Sequence, residues 1–302
     1  MALVSPITPA LSVVVTSSAS GAAADLLVTL LEQSRAAEVE IILARGVEGP
    51  SETPGVVDDL RVHVIEVARE PTLPQLLGAA IARSRGGVIA ITDSTCAVAS
   101  DWVREILEAH REPDLVLGGV VEPRGLRRLV DWAAYFCEYG QFMAPIEHGI
   151  TREVPGNNIS FKRSALERGR EFVTPEFWKT YWCRRLEDEG TRLRTAPSVV
   201  VYYGKSFRLF PFLNRRFQHG RCFAGMRLAG RSAGWRAVWA LAALLLPLLL
   251  SVRLLRAIFP KRRYLVQFLL SLPISLLAIL SWSIGEMVGY ALGAGTSCRH
   301  VR

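Results

Sequence analysis

The sequence predicts an α/β fold: a mostly parallel sheet with helices on both faces, followed by C-terminal hydrophobic helices. Three observations predict it. The first half alternates short β-branched runs with helical patterns. The last third holds two long uncharged runs, over 237–252 and 264–285. The charge is also split. From Lys205 to Arg302 there are 15 Lys and Arg against one acid, Glu286, whereas residues 1–204 hold 21 bases and 27 acids. Two regions are expected: an acidic catalytic-type domain over 1–204, and a basic, apolar helical region over 205–302.

Each element has a local reason. Residues 11–15 are a β-branched run and form the first strand, with a turn over 17–21 and a helix over 22–37. A second strand is expected at 39–43, a Gly/Pro-rich loop at 46–55 and a third strand at 60–67. The next helix, 73–85, carries Pro74 in its first turn, where a missing N–H costs nothing. A fourth strand over 87–91 runs into Thr92-Asp93-Ser94, and Ser100 is placed to cap a helix over 102–110. A fifth strand is expected at 115–121. Sheets of this kind bind ligands at the carboxyl ends of their strands. Thr16 and Ser17, and Asp93, Ser94 and Thr95, fall at such ends.

Several function classes are excluded. Half of the 302 residues are hydrophobic, which rules out a disordered chain. Neither Gly86-Gly87 nor Gly118-Gly119 fits a dinucleotide or P-loop fingerprint. Nucleic-acid binding explains the basic tail but not the apolar runs beside it. The five cysteines show no CxxC spacing, and their odd number fits reduced thiols. The dispersed histidines argue against zinc. The start lacks a basic n-region and is interrupted by Pro6 and Pro9, so no signal peptide is expected and the soluble domain is placed in the cytoplasm.

The order of segments resembles family 2 glycosyltransferases with the GT-A fold, over about residues 10–230. The matching pieces are LSVVVTSS with its helix; PQLLGAAIARSRGGVIAITDSTCAVASDWV; the strand GGVVEP; VPGNNISFKRSAL; FWKTYWCRRLEDEGTRL; and the basic RRFQHGRCFAGMR. The resemblance implies transfer of a sugar from a nucleotide-sugar donor, assisted by a divalent cation, Mg2+ or Mn2+. Asp93 is the implied cation ligand, with Thr16, Ser17 and Thr95 beside the donor. Gly156, Asn157 and Asn158 match the acceptor-side element. Arg215, Arg216 and Arg221 are placed to clamp a diphosphate or lipid headgroups. The chain departs from the pattern at three points. The second carboxylate of the acidic motif is Thr95. The second strand ends in Leu43-Ala44-Arg45, without the nucleobase acid. Trp178-Lys179 occupies the place of the catalytic acids. Glu176, three residues before Lys179 and on one helix face with it, is the expected substitute base.

The tail points to a membrane. Residues 205–236 hold eight bases and no acid, interleaved with six aromatic residues including Phe207, Phe217 and Trp235, as suits a helix at headgroup level. The 22-residue run over 264–285 is long enough to cross about 30 Å of hydrocarbon. The run over 237–252 is short and broken by Pro247. If both cross, the bases between them, Arg253 to Arg263, face outward, against the usual charge bias. Either one segment is embedded and the other shallow, or both lie at the interface; at least one embedded segment is the expectation. Glu286 should sit at the interface or pair with an Arg. The sequence thus points to a membrane-associated transferase of cell-envelope polysaccharide type, cytoplasmic on its catalytic side, with a lipid-linked or saccharide acceptor. The alternative is a catalytically impaired chain of the same fold that scaffolds or regulates a partner transferase.

Overall fold

The computed structural model describes residues 9–17, 23–36, 38–47 and 58–301. Residues 18–21 of the turn expected over 17–21 and most of the loop over 46–55 lie outside these residues, as do Pro6 and the expected helix start at residue 22, while Ser17 ends the first strand. The chain divides into two compact units. The first is Met1–Glu122 with Ala144–Tyr203; the second is Pro123–Met143 with Gly204–Arg302. Residues 123–143, inside the first region on sequence grounds, group with the second unit.

The described strands are β1 (Leu11–Ser17), β2 (Val39–Arg45), β3 (Val62–Glu66), β4 (Val88–Asp93), β5 (Cys96–Val98), β6 (Val116–Pro123), β7 (Gly149–Thr151), β8 (Ile159–Lys162) and β9 (Leu193–Tyr203). They form one sheet in the order β3-β2-β1-β4-β8-β6-β9-β5, with β7 also on β9. The first four are parallel. β8 is antiparallel to both β4 and β6, so β6 runs in the direction of β4. Every residue of β1 is buried, as a central strand covered on both faces requires. The expected mostly parallel sheet flanked by helices is therefore present, with a mixed far half that the β-branched runs did not announce.

The first unit's helices are α1 (Ala24–Gln33), α2 (Leu73–Arg83) and α3 (Trp102–Ala109); after α4 (Leu129–Tyr139) of the second unit, the first resumes with α5 (Lys179–Asp188). Val14, Ile42 and Ile91 on the sheet pack with Leu77 and Ile81 of α2, Phe177, and Trp182 and Leu186 of α5. α1 packs on α3 and β5, and α3 on β9. Thr72 caps α2 with Gln75 in a reciprocal capping box. Ser100 does not cap α3: Asp101 holds that position without a side-chain bond. Gln33, at the end of α1, does the work instead. Its Oε1 accepts from the Val103 N–H and its Nε2 donates to the Ala99 carbonyl.

At the opposite end of the sheet from the strand tips, Glu40 is buried. It accepts from Ser12 Oγ (2.5 Å), the Arg85 and Gly86 N–H groups and Arg85 Nε. Burial opposes its ionisation, but the Ser12 and Arg85 bonds outweigh it and hold the carboxyl below its ordinary range. His110, buried against Ser160 Oγ (2.9 Å), is pushed down to about 4 by burial, with repulsion from Lys162 adding to it. Unfolding returns this imidazole to its ordinary 6.5, so the unfolded chain binds the extra proton between those values. Stability should thus fall as pH drops from 6.5 to about 4, by on the order of 3 kcal/mol from this group, with Glu40 adding a loss at still lower pH. Urea unfolding across that pH range measures the slope, and the His110→Gln variant should flatten it.

The second unit contains α4, α6 (Leu209–Arg227), α7 (Ala233–Ala242), α8 (Leu246–Ile258) and α9 (Leu265–Leu292). α7 and α8 join into an apolar stretch, Ala233–Lys261, and both it and α9 are long and apolar enough to cross a membrane. Asp131 at the start of α4 accepts from the Phe207 N–H at 2.7 Å and from Ser206 Oγ, which fixes the entry to α6. α6 and α9 pack through glycine: a Cβ on Gly285 would lie 2.2 Å from the Phe217 carbonyl oxygen, and one on Gly220 2.4 Å from that of Trp282. A Gly285→Leu variant should therefore lose about 3 kcal/mol and show faster amide exchange in α6.

One expectation about this region is corrected and another is narrowed. The five thiols are not all reduced, because Cys222 and Cys298 form a disulfide, while Cys96, Cys137 and Cys183 are free. Of the two expectations for Glu286, an interfacial position or an Arg partner, the second does not hold among the described residues: Glu286 is buried and accepts from Trp282 Nε1 (2.5 Å) and Tyr290 Oη (2.7 Å). Arg227 reaches it only through Tyr290.

Candidate active site

The parallel register of β1, β2 and β4 brings their carboxyl ends level. Thr16 sits opposite Asp93 and Ala44, and Ser17 opposite Arg45. Thr16 and Ser17 are buried, and the Ser94 N–H donates to the Thr16 carbonyl at 2.9 Å. The acidic motif turns sharply. Asp93 Oδ1 accepts from the Thr95 N–H at 2.7 Å and from the Thr95 hydroxyl. Thr95 thus occupies the second-carboxylate position by bonding to the first.

The acceptor-side residues lie at the same edge, because β8 is antiparallel to β4 and begins there. Asn157 Nδ2 donates to Cys96 Sγ at 3.2 Å. Burial, then the charge of Asp93, pushes the Cys96 thiol well up, so it stays protonated. Asn157 Oδ1 is buried without a protein donor, a cost that a bound hydroxyl or water removes. A Cβ on Gly156 would meet open space. Asn158 faces inward instead: its Nδ2 donates to the Val120 and Val199 carbonyls and its Oδ1 accepts from Trp102 Nε1.

Glu176 is not on a helix. α5 starts at Lys179 with Trp178 as its cap, so the shared helix face expected for Glu176 and Lys179 does not exist. A bend over 174–176 carries Glu176 to the N-terminus of α2, where the Phe177 N–H donates to the Pro74 carbonyl. That helix follows β3, so its start also lies at the carboxyl edge. The Glu176 carboxylate accepts from Gln75 Nε2 and Trp178 Nε1, both at 3.0 Å, and is held in one orientation. Lys179 Nζ donates to the Val154 carbonyl at 2.6 Å, bracing the turn that carries Gly156 and Asn157.

Sequence reasoning missed two carboxylates at this edge. Glu66 ends β3, pairs in register with Arg45 and bonds its guanidinium at 2.8 Å. Glu122, near the end of β6, is buried and accepts from the Ala144 N–H. Both sit near the ends of β-runs, a position the strand reading already singled out.

In the second unit each predicted Arg has a partner. Arg215 faces Glu138 at 3.8 Å, Arg216 lies 4.4 Å over the Trp282 ring, and Arg221 Nε donates to the Gly293 carbonyl. Burial opposes ionisation of Glu138, but Arg215 and Arg216 hold its carboxyl below the ordinary range. His219 is pushed down to about 3 by burial and then by Arg215, so it is neutral at pH 7. Among the described residues no three His, Cys, Asp or Glu side chains converge as a metal site.

No protein-family model and no curated protein matches the chain. Solved structures do. The mannosyltransferase PcManGT from Pyrobaculum calidifontis, in complex with GDP-Man and Mn2+, aligns at TM-score 0.57 and 18% identity, over 93% of this chain and 88% of its own. TarS 1–349 of S. aureus, in complex with UDP-GlcNAc, aligns at TM-score 0.50 and 12% identity, over 92% of this chain and 90% of its own. At such identities the likeness is one of fold, and the fold of this chain is that of GT-A-like glycosyltransferases.

Proposed function

We propose that the chain is a glycosyltransferase of family 2 type. It moves a hexosyl unit from a nucleotide-sugar donor to a lipid-linked or saccharide acceptor at the cytoplasmic membrane face. The observation that carries this reading is the carboxyl edge of the sheet. It gathers Thr16, Ser17, Asp93, Asn157 and an oriented Glu176 on one side of a fold shared with transferases solved with nucleotide sugars.

Asp93 is the residue that would hold a divalent cation, Mg2+ or Mn2+. One carboxylate completed by diphosphate oxygens and water is an ordinary magnesium site. When bound, the cation neutralises charge on the departing diphosphate. Thr16 and Ser17 position the donor, and Gly156 leaves room for an acceptor. Glu176 takes the acceptor hydroxyl proton as the new glycosidic bond forms and the sugar–phosphate bond breaks. Arg215, Arg216 and Arg221 are assigned to diphosphate or headgroup phosphates. The test is turnover of a nucleotide-sugar panel: Glu176→Gln should abolish transfer and leave nucleoside diphosphate affinity unchanged. Equal loss of both in that variant would remove Glu176 from the role of base.

A second reading has its own support. Thr95 occupies Asp93 Oδ1, and Lys179 is spent on a backbone carbonyl where the family carries acids. On this reading the chain is a membrane scaffold or regulator of a partner transferase, and it binds no nucleotide.

A further inference from the structure

We infer that the second unit is monotopic: its two long apolar stretches lie in one leaflet of an anionic membrane and do not cross it. This inference rests on the membrane association proposed above and refines it. α9 has 28 residues, about 42 Å, so length alone permits crossing. What packs on it argues otherwise. α6 runs alongside the C-terminal part of α9 in the same direction. Ser281 Oγ donates to the Leu213 carbonyl, Gly285 abuts the Phe217 carbonyl, Gly289 that of Arg221, and Gly225 abuts Ala294. α4 covers the first half: Trp132 lies tilted against Tyr264 and Phe136 edge-on to Phe268, both with ring centroids 5.1 Å apart, and Cys137 Sγ reaches the Ser275 carbonyl.

These covering helices carry charge beside the middle and the C-terminal half of α9. Glu138, next to Cys137, faces Arg215, and Arg216 lies over Trp282, so this ion cluster sits beside the midpoint of α9. Arg221 and Arg227 bond Gly293 and Tyr290 further along. In a crossing helix the cluster would sit at the bilayer centre, where each charge costs about 2.5–3.5 kcal/mol even on lenient scales. Lying flat removes that cost. The uncovered side of α9 is then a stripe at helical spacing: Val266, Leu269, Leu270, Leu276, Leu280 and Ile284 are all exposed.

The apolar stretch Ala233–Lys261 runs antiparallel beside α9. Trp239 packs on Tyr290, Arg236 Nε bonds the Tyr290 carbonyl, and Leu241, Leu244 and Leu248 are exposed. Basic residues stand at both ends of this pair: Arg253, Arg256 and Arg262 at the tip, and Arg227, Arg231 and Arg299 at the far end. A spanning hairpin would leave one of these groups on the wrong side of the charge bias; a flat one sets both among anionic headgroups.

The test uses the full chain in sealed phosphatidylcholine–phosphatidylglycerol vesicles and a membrane-impermeant maleimide. Leu60→Cys reports the first unit, Arg262→Cys the tip and His300→Cys the end of the chain, with the native chain as blank. All three should react to the same extent. Trypsin cleavage at Lys261–Arg263 in the native chain, without permeabilisation, is the arm that needs no variant. Protection of position 262 alone means a spanning hairpin, and opposite behaviour at 300 means a single span; either overturns the inference and leaves membrane association standing. A chain that does not float with the vesicles overturns both.

Discussion

Asp93→Ala is expected to lower glycosyl transfer by at least about a hundredfold, which corresponds to about 2.7 kcal/mol of transition-state stabilisation. Thr95 stands where a second carboxylate would share the cation, so Asp93 is the one carboxylate of its motif. Removing it takes away the carboxylate proposed to hold the cation against the leaving diphosphate. Donor affinity should fall in parallel and lose its response to Mn2+. The fold should persist, because among the described residues the Asp93 side chain bonds within its own turn and to its neighbour Cys96. Thr95→Asp is the informative partner. By restoring a second carboxylate it should tighten cation-dependent binding, read as a shift of the Mn2+ titration to lower concentration. Unchanged turnover in Asp93→Ala would remove Asp93 from the role of cation ligand, whereas absence of turnover in the native chain would support the scaffold reading.

Asn158→Leu is expected to destabilise the first unit by about 3–9 kcal/mol. Three hydrogen bonds vanish together, and the Val120 and Val199 carbonyls and the Trp102 indole N–H are left in a dry interior. Each orphaned group costs about 1–3 kcal/mol. Against a usual total of about 5–15 kcal/mol, this is enough to populate the unfolded state at growth temperature. Asn157→Ala is the contrast. It loses one weak bond to sulfur, so thermal unfolding should shift little while activity falls. The adjacent asparagines that one motif suggested would act alike are thus separated by where their amides end.

The elements legible in the sequence were those whose reason is local. β1, β2 and β4 are β-branched runs buried on both faces, and α2 announces itself through Pro74. β9 was missed although it ends in Val-Val-Val-Tyr-Tyr, because Arg194 and Pro197 break its pattern and its residues alternate between buried and partly exposed. Gln33 capping α3, Glu40 holding Arg85, and Cys222 joined to Cys298 are pairs 70, 45 and 76 residues apart. No spacing rule reaches that far. The site was legible to the same degree. Asp93 and Thr16 followed from strand ends. Glu176 was placed on a helix because the resemblance supplied one, whereas α5 begins three residues later, at Lys179, with Trp178 as its N-cap. Glu66 and Glu122 went unnoticed because a carboxylate near a strand end gains meaning only when the neighbouring strand is known.

The central claim is that the carboxyl edge binds a nucleotide-sugar. It is tested most directly by calorimetric titration of the detergent-purified full chain with a panel of nucleoside diphosphates, with and without Mn2+ or Mg2+. The account predicts saturable binding of at least one nucleotide, strengthened by the cation and lost in Asp93→Ala. Absence of binding across the panel, by protein shown to be folded, would contradict it and leave a membrane-bound scaffold of transferase fold.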